Sequence, residues 1–230
     1  MTGWFSSILH RAAVALPSRC LACGLAPGDP VCANCAHDYF PQVLRCRRCA
    51  LRIPAGELCG ACLRDPPRFA AAWACADYAP PVSGMVLALK SSARLDLALP
   101  LARMLARTLP AAEAPADCVA PVPLSPERRA ERGYNQSELL ASALAQEARL
   151  PLEAQLLLRV RHGVPQQALA LDARRRNVRG AFAAARPLQG RAVLLVDDVM
   201  TTGATLDEAA GALLSAGASR VCVAVVARTP

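Results

Sequence analysis

The stretch VLLVDDVMTTGATLDEAAGALL, residues 193–214, decides the fold class of this chain. Four β-prone apolar residues run into two acids, then into a turn rich in threonine and glycine, and then into a helical pattern. A buried strand followed by a turn and a helix is typical of parallel sheets that helices cover on both faces. Because ligands of such sheets lie beyond the carboxyl ends of the strands, this turn predicts a binding site.

The residue types in the turn suit a phosphate next to a sugar. A phosphate accepts N–H bonds from the turn and from the start of the helix, and the threonine hydroxyls add donors. The two acids would repel a phosphate but accept hydrogen bonds from vicinal sugar hydroxyls, so the turn predicts a ribose 5-phosphate site. The alternative is a threonine-capped turn with solvated acids. The predicted binding residues are Asp197, Asp198, Val199, Met200, Thr201, Thr202, Gly203, Ala204 and Thr205, with the phosphate at residues 200–205.

Short β-like runs alternate with helical patterns from residue 69 onwards. The predicted strands are AAWACADY, CVAPVP, AVLLV and VCVAVVA, and the predicted helices are two within residues 83–108, one at 135–149 and one at 205–216. We therefore predict an α/β fold, a parallel sheet flanked by helices, as a domain of residues 69–230. The composition changes after PPRF at residues 66–69, which makes residues 1–68 a separate predicted domain.

Length and charge limit the class of protein. At 230 residues the chain is long enough for one sizeable core and a small accessory module. Its 26 Lys and Arg against 18 Asp and Glu give a formal charge of +8, which favours polyanions or phosphorylated small molecules as partners. His10 and Arg11 interrupt the apolar start, and no charge-free apolar stretch reaches 18 residues. We expect a cytoplasmic protein without membrane insertion, in which cysteines stay reduced.

Eight of the eleven cysteines form four CxxC pairs within the first 62 residues. Each CxxC turn presents two thiolates on one side of a loop, and two such turns complete a tetrahedral S4 site for Zn²⁺. CLACGL from residue 20 is echoed by CRRCAL from residue 46, which favours two sites made by successive pairs over an interleaved arrangement. Disulfides are disfavoured by the compartment, and an iron–sulfur cluster is disfavoured by the regular pairs. The predicted ligands are Cys20, Cys23, Cys32, Cys35, Cys46, Cys49, Cys59 and Cys62.

Three ordered blocks resemble the ComF family, in which cysteine pairs precede a domain similar to type I phosphoribosyltransferases. They are VPLSPERRAERGYNQSELLA from residue 122, PQQALALDARRRNVRGAF from residue 165 and LLVDDVMTTGATLDEA from residue 194. The resemblance covers nearly everything from Cys20 to Arg228. It implies a double zinc ribbon, phosphoribosyl pyrophosphate (PRPP) bound with Mg²⁺ as the ligand of the turn, and a role in natural competence, the uptake and processing of transforming single-stranded DNA.

A group of arginines after the strand CVAPVP predicts a second anion site. Guanidinium groups beside a helix N-terminus bind phosphates, and the resemblance places the pyrophosphate here. The alternative is a solvated, arginine-rich loop. Asn135 is the predicted helix cap, with Glu138 as its capping-box partner. The arginines of this predicted loop are Arg128, Arg129 and Arg132.

Lys90 is the only lysine of the chain, which suggests that a compact, flexible charge is needed at this position. It matches the early lysine of the family, so we assign it to the second anion site, with chance retention as the alternative. The arginine-rich stretch from residue 161 has little apolar periodicity and predicts a mobile surface element. In similar phosphoribosyltransferases such a loop covers the reaction centre. The residues of this loop that match the family pattern are Gln166, Arg175, Asn177 and Arg179.

Three functions are consistent with the sequence. The leading one is a ComF-type protein that binds PRPP and acts in competence, with single-stranded DNA and competence proteins as candidate partners. The second is an active phosphoribosyltransferase that transfers phosphoribose from PRPP to a nitrogenous base. The third is a regulatory module that binds PRPP or a nucleotide without turnover. The sequence offers no convincing general base, so it leaves both the acceptor and turnover open.

Overall fold

The computed structural model describes residues 18–25, 27–110, 116–161 and 178–230 of the chain. Over these residues a parallel four-stranded sheet has helices on both faces and is preceded by two segments that carry the CxxC pairs. The α/β class predicted from the sequence is therefore confirmed. Of the helices that lie in these ranges, none has the length and apolarity needed to cross a bilayer.

The helices and strands follow one another in this order. The cysteine segments contain β1 (Ser18–Arg19), β2 (Pro27–Gly28), α1 (Ala33–Tyr39) and α2 (Gly60–Arg64). Next come β3 (Ala71–Asp77), α3 (Val82–Ser91), a 3-10 turn (Leu95–Leu97) and α4 (Ala98–Ala106). Then follow β4 (Cys118–Pro121), α5 (Pro126–Arg132), α6 (Gln136–Ala148) and β5 (Leu157–Arg159). The last are β6 (Phe182–Ala184), β7 (Ala192–Met200), α7 (Ala204–Ser215) and β8 (Arg220–Arg228).

The main sheet has the strand order β3-β8-β7-β4, and each pairing is parallel. In the centre, Val193 of β7 pairs with Val221 of β8 on one side and with Cys118 of β4 on the other. A parallel bridge between Val119 and Leu152 continues the sheet beyond β4. These strands are near-continuously apolar because both faces are covered, which is the pattern that predicted a parallel sheet.

Two apolar cores cover the two faces of this sheet. On one face Leu194 and Val196 of β7 pack with α3, α4 and α6. On the other face Val193 and Leu195 pack with α7 and with the antiparallel pair of β5 and β6. Side chains alternate along a strand, so the next even position, Asp198, lies on the face that α3 and α6 cover.

The two cysteine segments repeat one backbone plan, as the sequence echo predicted. In the first segment the N–H of Cys20 donates to the Leu25 carbonyl at 3.1 Å. In the second, 26 positions later, the N–H of Cys46 donates to the Leu51 carbonyl at 2.7 Å. Each segment then ends in a short helix, α1 or α2, that begins directly after a cysteine. The segments differ in packing, because the first joins the core under α3 and α4, whereas the second forms a small core of its own.

One local prediction was wrong: the three arginines expected in a loop lie on helix α5, namely Arg128, Arg129 and Arg132. Ser125 caps this helix by accepting the N–H of Arg128 at 3.4 Å, and Pro126 occupies its first position. Gly133 ends it in the left-handed conformation, with a φ of 78°. These start and stop residues favour a short helix strongly enough to outweigh the polar composition that suggested a loop.

Strand β7 is longer than the predicted AVLLV, because it continues through both acids to Met200. The Met200 side chain is 1% exposed, and its carbonyl accepts the N–H of Thr229 at 3.0 Å. Met200 is therefore a core residue at the end of a strand, whereas the sequence placed it in the phosphate-binding turn. Ala204 begins helix α7, which leaves Thr201, Thr202 and Gly203 as the turn itself.

Candidate functional site

The candidate site lies where the central strand β7 ends and helix α7 begins. Gly203 connects them with a φ of 80°, a conformation that residues with a side chain rarely adopt. The Thr202 hydroxyl accepts the N–H of Ala204, the first residue of α7, at 3.2 Å, and so stabilises the turn in addition to its predicted role. The turn thus presents the amino end of a twelve-residue helix next to two acids, a suitable place for an anion.

Asp198 is a buried charge, only 3% exposed, with two direct partners. The Lys90 Nζ lies 2.8 Å from one carboxylate oxygen, and the Gln136 amide donates to the other at 2.7 Å. Burying a carboxylate is costly unless it is paired and hydrogen-bonded, and both conditions are met here. The structure therefore places Lys90 in contact with Asp198 of the acid pair. The sequence had assigned this lysine to the second anion site and had not indicated this partner.

Asp197 is held differently from its neighbour. The Ser137 hydroxyl donates to its carboxylate at 2.7 Å, and the N–H of Asp198 donates to the same oxygen at 2.9 Å. Burial, followed by the charge of Asp198, raises the pKa of Asp197 to about 7, against the opposing effects of Ser137 and Lys90. Near neutral pH this carboxyl group is present in both protonation states, whereas Asp198 is fixed in an ion pair.

We expect Asp197 to make the free energy of unfolding depend on pH. Its pKa is about 7 in the folded chain, against about 3.9 in an unfolded one. Between these values the folded state binds more protons, so the stability that this group contributes is full below about pH 4 and is lost as the pH rises to about 7. Denaturant unfolding of the wild type and of Asp197→Asn from about pH 5 to about pH 8 checks this, because the wild type should lose stability relative to the variant. A difference that stays constant over that range contradicts the prediction.

The run GYNQS, residues 133–137, ties three parts of the site together. The Tyr134 hydroxyl donates to the Leu89 carbonyl on α3, directly before Lys90. The Asn135 amide donates to the Val122 carbonyl at 3.1 Å, and its oxygen accepts the N–H of Ser137, which confirms Asn135 as the cap of α6. The next two residues reach the acids. One short run therefore positions α3, the end of β4 and both acids relative to one another.

Gln136 and Ser137 were not predicted as site residues. Polar residues at a helix start are expected to be exposed, and only the structure shows that Asn135, Gln136 and Ser137 are all buried. Glu138, predicted as the capping-box partner, instead lies 3.4 Å from the Arg129 guanidinium.

Arg159, which the sequence did not indicate, adds a further positive charge to those of the α5 arginines. Arg132 donates to the side-chain oxygen (Oε1) of Gln136 and so connects to Asp198 through that amide group. Arg159 of β5 lies over the Phe182 ring, 5.6 Å from its centroid. Burial and then the charge of Arg128 lower the pKa of Arg159. The charges of Arg128 and Arg159 therefore act on each other, an arrangement that suits a polyanion. No periodicity marks Arg159, because its strand has only three residues.

The eight thiols group as the sequence favoured, into two sets of successive pairs. Within each set the sulfur atoms lie within 4.8 Å of one another, and the Cys49 and Cys59 sulfurs are 3.7 Å apart. Four sulfurs at about 2.3 Å from a tetrahedral Zn²⁺ are separated by about 3.8 Å, so the sets fit structural zinc. The sets are Cys20, Cys23, Cys32 and Cys35, and Cys46, Cys49, Cys59 and Cys62.

The backbone around the CxxC pairs favours the thiolate form of one cysteine in each set. Burial raises the pKa of these thiols. At two of them, hydrogen bonds from backbone N–H groups lower the pKa by more than burial raises it. The pKa of Cys20 falls to about 6, chiefly through the N–H of Cys32, and that of Cys46 falls to about 7, chiefly through the N–H of Cys59. Since thiolates are the form that binds Zn²⁺, the chemistry of the donor set agrees with its geometry.

The predicted flexible loop falls mostly outside the described residues. Gln166, Arg175 and Asn177 belong to that part of the chain, so their predicted roles stay predictions. Arg179 is described and exposed. Burial raises the pKa of Glu208 on α7, but the hydrogen bonds from Arg68 and Gly180 and the charges of Arg68 and Arg179 outweigh it and lower the pKa.

Comparisons with known proteins agree with this architecture. Residues 12–63 match the model of the double zinc ribbon domain, and residues 134–230 match that of the phosphoribosyl transferase domain. The DNA utilization protein YhgH of Escherichia coli K12 is 36% identical over 93% of this chain and 98% of its own. Competence protein F of Haemophilus influenzae is 30% identical over 86% and 90%, respectively. A solved glutamine PRPP amidotransferase of B. subtilis, complexed with ADP and GMP, has a TM-score of 0.37 and 29% identity over 54% of this chain and 25% of that one.

The fold and the family models together define a double zinc ribbon joined to a phosphoribosyltransferase-like domain. Two relatives of at least 30% identity extend over nearly their whole lengths. The chain belongs to the ComF family, which includes competence protein F and YhgH. The resemblance drawn from the three sequence blocks is thereby confirmed.

Proposed function

We propose that this ComF-family protein binds PRPP at the carboxyl end of β7. The observation that carries the proposal is the position of the acid pair near the carboxyl end of β7, from which a three-residue turn leads to the amino end of α7. An anion site and a hydroxyl-binding site that share one turn fit a ribose 5-phosphate. The phosphoribosyl transferase family match over residues 134–230 supports the same ligand.

The two acids take different parts in the proposal. Asp197 accepts hydrogen bonds from the ribose hydroxyls, since its carboxylate is only partly occupied by Ser137 and by a backbone N–H. Asp198 orients the site through its bonds to Lys90 and Gln136. The 5-phosphate binds the turn and the first turn of α7, at residues 201–205. This division refines the sequence prediction, which gave both acids the same task.

The pyrophosphate of PRPP lies in the proposal beside α5 and β5. Arg128 and Arg159 supply positive charge there, and Arg132 extends it towards Asp198 through Gln136. Mg²⁺ enters with PRPP as its pyrophosphate counterion and neutralises charge that would otherwise repel the acids. Zn²⁺ in the two cysteine sets would hold the N-terminal segments, which is a structural role.

The relatives favour a role in DNA handling. Their printed names are competence protein F and DNA utilization protein. We extend this to the present chain as a cytoplasmic, competence-related function, in which single-stranded DNA and competence proteins are candidate partners. Strand binding would depend on arginine–phosphate contacts and should therefore weaken steeply as salt increases.

PRPP with Mg²⁺ should raise the melting temperature of the wild type. At a ligand concentration about 100 times Kd the gain is about 2.7 kcal/mol, which corresponds to a rise of about 5–10 °C for a chain of this size. Asp197→Asn should remove most of the rise, because the amide is a poorer acceptor for two hydroxyls. Differential scanning fluorimetry with and without PRPP measures both effects.

The matched control is Asp117→Asn, directly before β4 and beside the first residue of β7, at the opposite edge of the sheet. The Asp117 carboxylate accepts the N–H of Ala192 at 2.7 Å, and an asparagine oxygen can do the same. This variant should keep the full PRPP effect. If PRPP raises the melting temperature of Asp197→Asn as much as that of the wild type, PRPP does not bind at the carboxyl end of β7. Release of pyrophosphate in the presence of a free base would identify an active transferase.

A further inference from the structure

One arginine at the end of β8 joins the second cysteine segment to the candidate binding turn. The Arg228 Nε donates to the carbonyl of Cys49, one of the thiols of the second set, at 3.0 Å. Nη1 of the same guanidinium donates to the carbonyls of Met200 at 3.2 Å and of Thr201 at 2.5 Å. A planar, rigid guanidinium therefore fixes the distance between a zinc-knuckle carbonyl and the start of the turn.

A second contact fixes the other end of the turn. Arg68, which follows the last thiol of the second set by six residues, reaches the start of α7. Its Nε donates to Asp207 at 3.1 Å, its Nη2 donates to Glu208 at 2.6 Å, and its backbone N–H donates to Asp207 at 2.6 Å. The turn is thus held from both sides by groups attached to the second cysteine segment, across a cleft of about 420 Å³.

We infer that Arg228 is a positioning residue, which couples metal binding at the second cysteine set to ligand binding at residues 201–205. The inference rests on the proposed function, because it takes the phosphate of PRPP as the ligand of the turn. Such coupling is reciprocal, so PRPP must strengthen metal binding at the second set by the same factor.

The physical reason lies in how the second segment is held. Next to Cys46 and Cys49 it is also bound to the start of β3, since the Arg48 guanidinium donates to the Ala70 carbonyl at 3.0 Å and the Arg47 carbonyl accepts the N–H of Ala72 at 3.0 Å. Apart from Ala50, which lies in the α7-side core, the core of the second segment consists of its own thiols together with Ile53 and Leu51. A segment with so small a core depends on the metal for its folding. Without the metal, the Cys49 carbonyl is held only through its neighbours Arg48 and Ala50, so this acceptor of Arg228 is less firmly positioned. The Met200 and Thr201 carbonyls then have a less firmly fixed donor, and the turn is less preorganised.

The first cysteine set provides an internal control. Cys20 and Cys35 pack into the core under α3 and α4, on the face away from α7. Cys32 and Cys59 occupy equivalent positions in the two segments, since each directly precedes the short helix that carries the fourth thiol. A serine at either position removes one ligand from one set and leaves the other set intact.

The test is a double-mutant cycle in the full-length, zinc-loaded protein, with PRPP and Mg²⁺ as the probe. Cys59→Ser should weaken PRPP binding about tenfold in the wild-type background, within the usual range of coupling between sites. In an Arg228→Lys background the same substitution should have an effect of less than about threefold, because the lysine ammonium cannot bridge the two sets of carbonyls. Cys32→Ser should leave PRPP affinity unchanged in both backgrounds. Calorimetric titration of PRPP below the melting temperature of each variant gives these values.

A second readout separates coupling from general stability. PRPP should lower the zinc dissociation constant of the second set, measured by competition with a chelator, by about the factor by which zinc strengthens PRPP binding, and Arg228→Lys should abolish this effect. Equal loss of PRPP affinity in Cys32→Ser and Cys59→Ser would overturn the inference. An effect of Cys59→Ser that persists undiminished beside Arg228→Lys would also overturn it.

Failure of the proposed function is distinguishable from failure of this inference. If the wild type does not bind PRPP, the proposed function fails. Hydrogen exchange at the amides of residues 201–206 then tests by itself whether the second cysteine set is coupled to the turn. Faster exchange at these amides in Cys59→Ser than in Cys32→Ser supports the role of Arg228. Equal exchange in the two variants rejects it.

Discussion

Cys35→Ser is expected to lower the melting temperature by more than about 10 °C, which corresponds to a loss of at least about 3–5 kcal/mol in a chain of this length. Cys35 is a thiol of the first set, is buried, and packs in the same core as Val31 and Phe40. Losing the metal removes the folding free energy of the segment and also uncovers part of the main core. Cys62→Ser, at the corresponding position of the second set, should cost less, because that set packs in a small core of its own.

Calorimetry of both variants, together with zinc determination, checks this prediction. The wild type should contain two zinc ions per chain after purification without added metal, and each variant should contain one. Iron in place of zinc would contradict the structural sites. Equal losses of stability in the two variants would contradict the difference in packing.

Lys90→Met is expected to lower the free energy of unfolding by about 3–5 kcal/mol, because it leaves the buried carboxylate of Asp198 without its cation. The Asp198 side chain is 5% exposed, and Lys90 Nζ lies 2.8 Å from it. The Gln136 amide remains as a partner but carries no charge. Adding Asp198→Asn should recover much of the loss, since the double variant has no buried charge. Urea unfolding of both variants near neutral pH measures the two effects.

A matched control comes from the surface of the second cysteine segment. Arg47 and Glu57 form an ion pair at 2.9 Å, and both side chains are 72% exposed. Arg47→Met should change the free energy of unfolding by less than about 0.5 kcal/mol, because exposed pairs contribute little. If Lys90→Met has no larger effect than Arg47→Met, Asp198 is not held as a buried carboxylate.

The sequence alone predicted those features of the fold that depend on residues close together in the chain. The apolar run before Asp197 predicted the central strand, and the echo of the CxxC pairs predicted two sets of successive thiols. The predicted helices at 135–149 and 205–216 agree with α6 and α7 within one residue at each end. Each of these depends on a local pattern of periodicity, spacing or capping.

The partners of the site residues depend on tertiary structure and carry no local pattern. Gln136 reaches Asp198 across 62 positions of the chain, and Arg228 reaches Cys49 across 179. Only the order of the strands brings these groups together, and hydrophobic periodicity does not determine that order. The domain boundary after residue 68 stays a prediction. The two residues at this boundary do contact the sheet domain, since Arg68 binds Asp207 and the buried Phe69 lies in the α7-side core.

The single lysine at the acid pair gives the protein a built-in reporter. Lys90 is the only lysine in the sequence, and its side chain is about one quarter exposed. Protein grown with isotope-labelled lysine would therefore give one side-chain resonance, from an ammonium group that contacts Asp198. An amine-directed reagent would modify a single side chain, within this site. Ligand occupancy at the end of β7 can thus be followed without introducing any label by mutation.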